Sequence, residues 1–279
     1  VLKKTVHKDK KLLWISPFVV FLSPQSAQMQ LYKSTRDLQK ALRSEKSKKR
    51  RVGLVPTMGA LHLGHLSLVK RSLYQNDITV VSIFVNPTQF NDKNDLAAYP
   101  RMLEKDLILL SAEQGEIWVY APQAEDIYDG NISSKKYDFN NLDQVMEGPN
   151  RPGHFNGVAT IVERLLRITR PNHAYFGEKD YQQLLIISRV AKQMRLGVKI
   201  VGCAIIRESS GLAMSSRNQR LSPAAQSKAS FIYQQLLWAK RRFTSMSLPK
   251  IKKAVITAFQ NHPSFELEYF EINEALKLS

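Results

Sequence analysis

The amino-acid sequence predicts an α/β protein: a parallel sheet flanked by crossover helices, followed by a smaller C-terminal α+β domain. Three observations carry this expectation. Strand-like and helix-like segments alternate from Arg51 to Val201, as they do when crossover helices join the strands of a parallel sheet. Ile78 to Val85, ITVVSIFV, is apolar almost throughout, which suits a strand covered on both faces. After Arg207 the alternation gives way to a loop and two helix-like stretches, 222–243 and 249–260.

In chain order, Val52-Gly53-Leu54-Val55 reads as a short buried strand ending in a Pro-Thr-Met-Gly turn. Leu61, Leu66, Val69 and Leu73 then mark one face of a helix, with Lys70 and Arg71 off it. Ile78 to Val85 is the second strand and Ile117 to Tyr120 the third. Val158 to Ile168 reads as a helix, His173 to Phe176 as a strand, Gln182 to Met194 as a helix and Val198 to Val201 as a strand. No internal repeat interrupts this order. The pattern change places a domain boundary at Ile206, giving units 29–205 and 206–279.

Composition narrows the function. Of the 279 residues 43% are hydrophobic and 23% charged, which excludes a disordered chain. The single cysteine, Cys203, excludes a disulfide framework and a cysteine zinc cage, and fits a reducing compartment. The formal net charge is +17, but residues 1–51 hold fourteen basic and three acidic side chains, and Lys240 to Lys253 alone carries a charge equal to the remaining excess. The body is therefore close to balanced. Lys46 to Arg51 reads as a solvated helix end rather than a phosphate-binding patch, and no RNA-recognition or zinc-finger signature accompanies it.

Residues 1–28 differ from the rest of the chain: five lysines between Lys3 and Lys11 precede an apolar run from Leu12 to Leu22, interrupted by Pro17. That order resembles a secretory signal, and the run is too short to span a bilayer. The rival expectation, a start at Met29 with non-native sequence upstream, is preferred because the motifs that follow suit intracellular chemistry. No other stretch is long and apolar enough for a transmembrane helix.

Three segments carry that chemistry. Met58, Gly59, Ala60, Leu61, His62, Leu63, Gly64 and His65 lie between a strand and a helix, where α/β sheets present loops to ligands. A helix N-terminus offers unpaired N–H groups and a positive dipole end to phosphate. It is not a Walker loop, since His65-Leu66 stands where Lys-Ser/Thr is required. Zinc is the weaker alternative, because the histidine pair would need a distant third ligand such as His154. Gly177, Glu178, Lys179 and Asp180 form a second strand-to-helix turn, with a cation for phosphate and a carboxylate for ribose hydroxyls. Gln182 and Gln183 open the next helix, and one of them could face a polar substrate. Met214, Ser215, Ser216, Arg217 and Asn218 offer hydroxyls and a guanidinium suited to clamping pyrophosphate.

Six segments in order, VPTMGALHLGH (55–65), SIFVNPTQF (82–90), DLAAYPR (95–101), EGPNRPGHFNGVATIV (147–162), FGEKDYQQL (176–184) and RESSGLAMSSRN (207–218), resemble the pantoate–β-alanine ligase family of coenzyme A biosynthesis. The likeness covers Met29 to Leu221 and weakens beyond. It implies a Rossmann-like nucleotidyltransferase domain with a C-terminal lid, a homodimer, a cytoplasmic location, and neither nucleic acid nor membrane as partner. The family continues past the point matching Phe270-Glu271-Ile272, so a chain stopping at Ser279 is expected to carry a shortened, incomplete lid.

Carried over by position, the resemblance implies that Met58 to His65 hold ATP, with His62 as catalytic acid and His65 beside it on the phosphates. Gln89 and Gln183, with Met58 packing on the gem-dimethyl group, would bind pantoate and face β-alanine. Lys179 would meet phosphate and Asp180 ribose within the Gly177–Asp180 turn. The Ile206 backbone would meet adenine, and Met214 to Arg217 would close on the phosphates. Arg151 and His154 would support the site. The implied reaction uses MgATP to convert pantoate to pantoyl adenylate, which β-alanine aminolyses to pantothenate and AMP. The competing expectations are a related nucleotidyltransferase, a degenerate ATP-binding member, and a basic RNA-binding protein that leaves these motifs unused.

Overall fold

The computed structural model describes residues 28–278. Its centre is a six-stranded sheet of β1 (Gln28–Tyr32), β2 (Val52–Thr57), β3 (Ile78–Ile83), β4 (Glu116–Tyr120), β5 (His173–Gly177) and β6 (Lys199–Cys203). The spatial order is β1-β4-β3-β2-β5-β6, and every pairing is parallel. Around the sheet run α1 (Thr35–Ser47), α2 (Leu63–Gln75), α3 (Lys93–Ala97), α4 (Leu103–Ser111), α5 (Ala124–Tyr128), α6 (Glu147–Asn150), α7 (His154–Thr169) and α8 (Tyr181–Gln193). The C-terminal part contains α9 (Pro223–Lys228), α10 (Ser230–Arg242) and α11 (Leu248–Gln260).

The continuous apolar runs of β2 and β3 feed two cores, because successive residues of a strand face opposite sides. Leu54, Val80 and Trp118 pack with Leu38 and Leu42 of α1 and Val158, Ile161 and Leu165 of α7 on one face. Val55, Val81 and Val119 pack with Leu66 and Val69 of α2 and Leu110 of α4 on the other. Burial of each such side chain stabilises the fold by roughly 1.5–3 kcal/mol. The sheet therefore needs helices on both faces, as the sequence pattern predicts.

The differences from expectation have local causes. β1 and α1 are additional elements: QMQLY is short and alternates polar with apolar, and its order comes from parallel pairing with β4, Gln28 opposite Glu116 to Tyr32 opposite Tyr120. The expected leader lies outside the described residues, except that its last residue, Gln28, belongs to β1. The expected 222–243 helix is two helices, α9 and α10.

Between Ile206 and Leu278 the described residues form helices and one isolated antiparallel bridge, Arg207 with Ala213. Phe265, Leu267, Phe270 and Ile272 pack on a separate apolar cluster around Ile251, Val255 and Phe259. No strand forms in this part among the described residues, so the expected β contribution amounts to that single bridge. Among the described residues no helix is long and apolar enough to cross a membrane.

Sheet topology places the site. From β2 the chain steps outward through β3 to β4, then returns to the opposite side of β2 as β5. The order reverses between β2 and β5, the position at which open α/β sheets bind ligands beyond their strand carboxyl ends. β2 and β5 pair only through Gly53–His173 and Leu54–Ala174. Beyond those pairs the two strands separate, leaving a crevice between Thr57 and Gly177.

Candidate active site

The crevice opens into a cavity of about 510 Å³. Met58, His62, Gly64, His65, Gln89, Gly177, Lys179, Asp180, Gln183, Ile206 and Met214 to Arg217 line it, with Arg151 and His154. Residues from well-separated stretches of the sequence thus meet at one place.

One wall is the turn after β2. Thr57 Oγ1 donates to the Ser82 carbonyl at 2.7 Å and accepts from the Gly59 amide at 3.1 Å. The backbone then enters the left-handed region at Gly59 (φ 81°) and Ala60 (φ 49°). A Cβ at Gly59 would stand 3.0 Å from Asp106 Oδ2 and 3.1 Å from Ile83 Cγ2, so glycine satisfies both the dihedral and the close approach. Asp106, 1% exposed on α4, accepts from the Ala60 amide at 3.0 Å and the Leu61 amide at 2.7 Å. Burial pushes its carboxyl above the ordinary range, against the pull of those two amides. Gly59, Ala60 and Leu61 therefore shape the loop from behind. Leu63 is 60% exposed and Glu178 is exposed, and neither lines the cavity.

His62 caps α2. Its Nδ1 accepts from the Gly64 amide at 3.1 Å, while its own amide donates to His65 Nδ1 at 3.3 Å. The rings lie against each other with centroids 4.0 Å apart and planes tilted by 35°. With both Nδ1 atoms accepting, each neutral ring carries its proton on Nε2. Burial, then the nearby Lys179 charge, lowers the His62 pKa despite Glu208. Burial, followed by His62 and Lys179, brings His65 down to about 3. The pair therefore presents neutral Nε2–H donors to the cleft at physiological pH, and the positive charge comes from Lys179 and Arg217. Lys179 is tied to the neighbouring Asp180 at 3.1 Å.

A second wall is the loop after β3. Gln89 Oε1 accepts from Asn86 Nδ2 at 2.9 Å, and Gln89 Nε2 donates to Met58 Sδ at 3.2 Å. Asn86 also donates to the Gly157 carbonyl at 3.2 Å and accepts from Tyr128 Oη at 2.6 Å. A Cβ at Gly157 would lie 2.3 Å from the Thr88 carbonyl oxygen, so α7 can meet this loop only through glycine. His154 Nδ1 lies 2.8 Å from the Gln89 carbonyl. That bond orients the ring toward the loop, and no group of three His, Cys, Asp or Glu side chains among the described residues forms a metal cage. Both paired glutamines reach the cavity wall, but only Gln183 is without a side-chain hydrogen bond to the protein among the described residues. Gln182 is 4% exposed and holds the preceding loop through the Leu142 and Val145 carbonyls and the Glu147 amide.

The third wall comes from the C-terminal part. Ser216 Oγ donates to the Ala60 carbonyl at 2.9 Å, so this hydroxyl joins the two loops. Ser215 caps the short helix Ser216–Arg220 by accepting from the Arg217 amide at 3.3 Å. Tyr269 donates to Glu147 Oε1 at 2.8 Å across the cleft. Sequence reasoning assigned no role to Asp106, Asn86, Asp95 or Tyr269. For Asp106 the available signal was an acidic residue among the apolar positions of LEKDLILL.

A family model described as pantoate-beta-alanine ligase matches residues 30–279. The chain is 50% identical over 246 residues to the pantothenate synthetase of Flavobacterium psychrophilum, covering 88% of this chain and 87% of the relative. It is 44% identical over 247 residues to that of Aquifex aeolicus, again covering 88% and 87%. The crystal structure of pantothenate synthetase from Thermus thermophilus superposes with a TM-score of 0.83 at 39% identity, over 90% of this chain and 89% of that one. The Francisella tularensis pantoate-beta-alanine ligase complexed with beta-gamma ATP and beta-alanine superposes with a TM-score of 0.72 at 38% identity, over 83% and 86%. By sequence match over nearly its whole described length and by fold, the chain belongs to the pantoate-beta-alanine ligase family.

Proposed function

We propose that the protein condenses pantoate with β-alanine to pantothenate at this cleft, using ATP and releasing AMP and pyrophosphate. The observation that carries the reading is the meeting of two unlike surfaces. The neutral His62–His65 donor pair, Lys179 and Arg217 suit a triphosphate, and beside them Met58, Gln89 and Gln183 suit a small hydroxy acid with an apolar centre.

In the first step a pantoate carboxylate oxygen attacks the α-phosphorus and the bond to pyrophosphate breaks. The protein's task is in-line positioning and charge stabilisation. Nε2–H of His62 and of His65 donates to phosphate oxygens, and Lys179 and Arg217 balance the charge that pyrophosphate takes away. In the second step the β-alanine amine attacks the acyl carbon, the carbon–oxygen bond to AMP breaks, and the nitrogen loses a proton. Asp180 holds ribose, and the Ile206 backbone meets adenine.

Magnesium enters with the nucleotide as MgATP, and such an ion keeps waters and phosphate oxygens without a protein cage. Residues 206–279 act as a lid domain over the 29–205 domain, shielding the adenylate from water. The enzyme works as a homodimer in the cytoplasm, where ATP is available.

The test is an assay with ATP and pantoate, with and without β-alanine. AMP and pantothenate appearing together in the presence of both acids is the expected result. AMP formation indifferent to pantoate would overturn the reading.

A further inference from the structure

The DLAAYPR segment has no role in the proposed mechanism, yet it grips a residue that does. Asp95, on α3, accepts from Arg217 Nη2 at 2.7 Å and from its Nε at 3.5 Å. The same carboxylate accepts from Arg220 Nη1 at 2.9 Å. Tyr99, 6% exposed, lies beneath the guanidinium with Arg217 Cζ 5.3 Å from its ring centroid. Tyr99 also packs edge-on against Phe90, the residue after Gln89, at 5.6 Å. Tyr99, Phe90 and Arg217 line the cleft, whereas Asp95 does not.

We propose that Asp95 is a positioning residue for ATP binding: it grips Arg217 by its Nε–Nη2 edge and leaves the opposite edge toward the cleft for phosphate. A guanidinium has two such edges, each able to make a bidentate contact. Asp95 occupies one, and Nη1 has no protein partner among the described residues. The aromatic face of Tyr99 fixes the guanidinium's plane.

Charge decides whether this grip helps or blocks. Asp95 paired with Arg217 alone would be neutral and a poor match for a triphosphate. Arg220 adds a second cation to the same carboxylate, so the three side chains together remain singly positive. Arg220 thus keeps the cluster attractive to phosphate while Asp95 aims it.

The proposal rests on the ligase reading for its substrate, and its primary readout is therefore ATP binding by calorimetry on the full chain. Asp95→Asn should weaken ATP about tenfold, the scale of one lost charge-assisted contact, and should raise KM for ATP while leaving KM for pantoate unchanged. Asp95→Glu should restore most of the affinity, and Arg220→Gln should weaken ATP without altering Tm. In an Arg217→Gln background, Asp95→Asn should add nothing further. Unchanged ATP affinity in Asp95→Asn, or the same loss with and without Arg217, would overturn the proposal. Should Asp95→Asn fail to fold, Arg220→Gln decides: full ATP affinity in that variant would also overturn it. Wild-type protein that binds ATP but makes no pantothenate would defeat the ligase reading and leave the binding test intact.

Discussion

The His62 amide donates to His65 Nδ1 at 3.3 Å while the His62 ring accepts from the Gly64 amide, so the two histidines are locked as Nε2–H tautomers. A proton added to either ring must displace one of these bonds, on top of the desolvation that already disfavours it.

This lock has a pH consequence. The folded-state pKa of His65 is lowered to about 3, below the ordinary histidine value of about 6.5. Between those values the unfolded chain binds more protons than the folded one, so stability falls as pH drops through that window and is unaffected above it. His65→Asn keeps an acceptor for the His62 amide without the titration. Its Tm should fall less than wild type between neutral pH and mildly acidic pH. Parallel Tm curves for the two proteins would contradict the assignment.

Removing phosphate donors should cost far more in rate than in stability, although His62→Ala also gives up a helix cap. His62→Ala or Lys179→Ala is expected to slow adenylate formation by about a hundredfold, the scale of one lost transition-state donor. Pyrophosphate release measured alongside circular dichroism checks this; wild-type rates in either folded variant would remove that residue from the mechanism.

Asp106 holds the Gly59–Leu61 loop from behind through two backbone amides. Asp106→Asn leaves one acceptor oxygen for two buried N–H groups, and its new NH2 faces a donor. A loss of about 1–3 kcal/mol in urea unfolding is expected, together with reduced ATP affinity. Undiminished stability would show that the loop holds its left-handed turn unaided.

Gly157 lets α7 approach the Thr88–Gln89 backbone. Gly157→Ala must displace that loop, so KM for pantoate should rise about tenfold or more, equivalent to the loss of one well-placed contact, while ATP binding by calorimetry changes little. Equal losses for both substrates would place the disturbance elsewhere.

Much of the cleft lining was legible in the sequence, and the side chains that hold it in place were hidden. His62 and His65 stand out because a strand, a glycine turn and a helix start are all local patterns. Lys179 stands out for the same reason. Asp106 and Asp95 do not, because their partners lie 46 and 122 residues away, and an acidic residue on a short helix reads as solvated. The sheet core was likewise visible in ITVVSIFV, whereas QMQLY becomes a strand only through β4. Gln182 and Gln183 are indistinguishable as letters. Only the helix they open decides which one anchors a loop, although both reach the cleft.

The central claim is that a pantoate carboxylate oxygen attacks the α-phosphorus, and isotope transfer tests it most directly. Pantoate labelled with heavy oxygen in its carboxylate is incubated with the enzyme, MgATP and β-alanine, and the products are separated and weighed by mass spectrometry. Attack at the α-phosphorus followed by aminolysis leaves one labelled oxygen in AMP and one in the amide of pantothenate. Label in pyrophosphate or inorganic phosphate, or unlabelled AMP beside labelled pantothenate, would contradict the account.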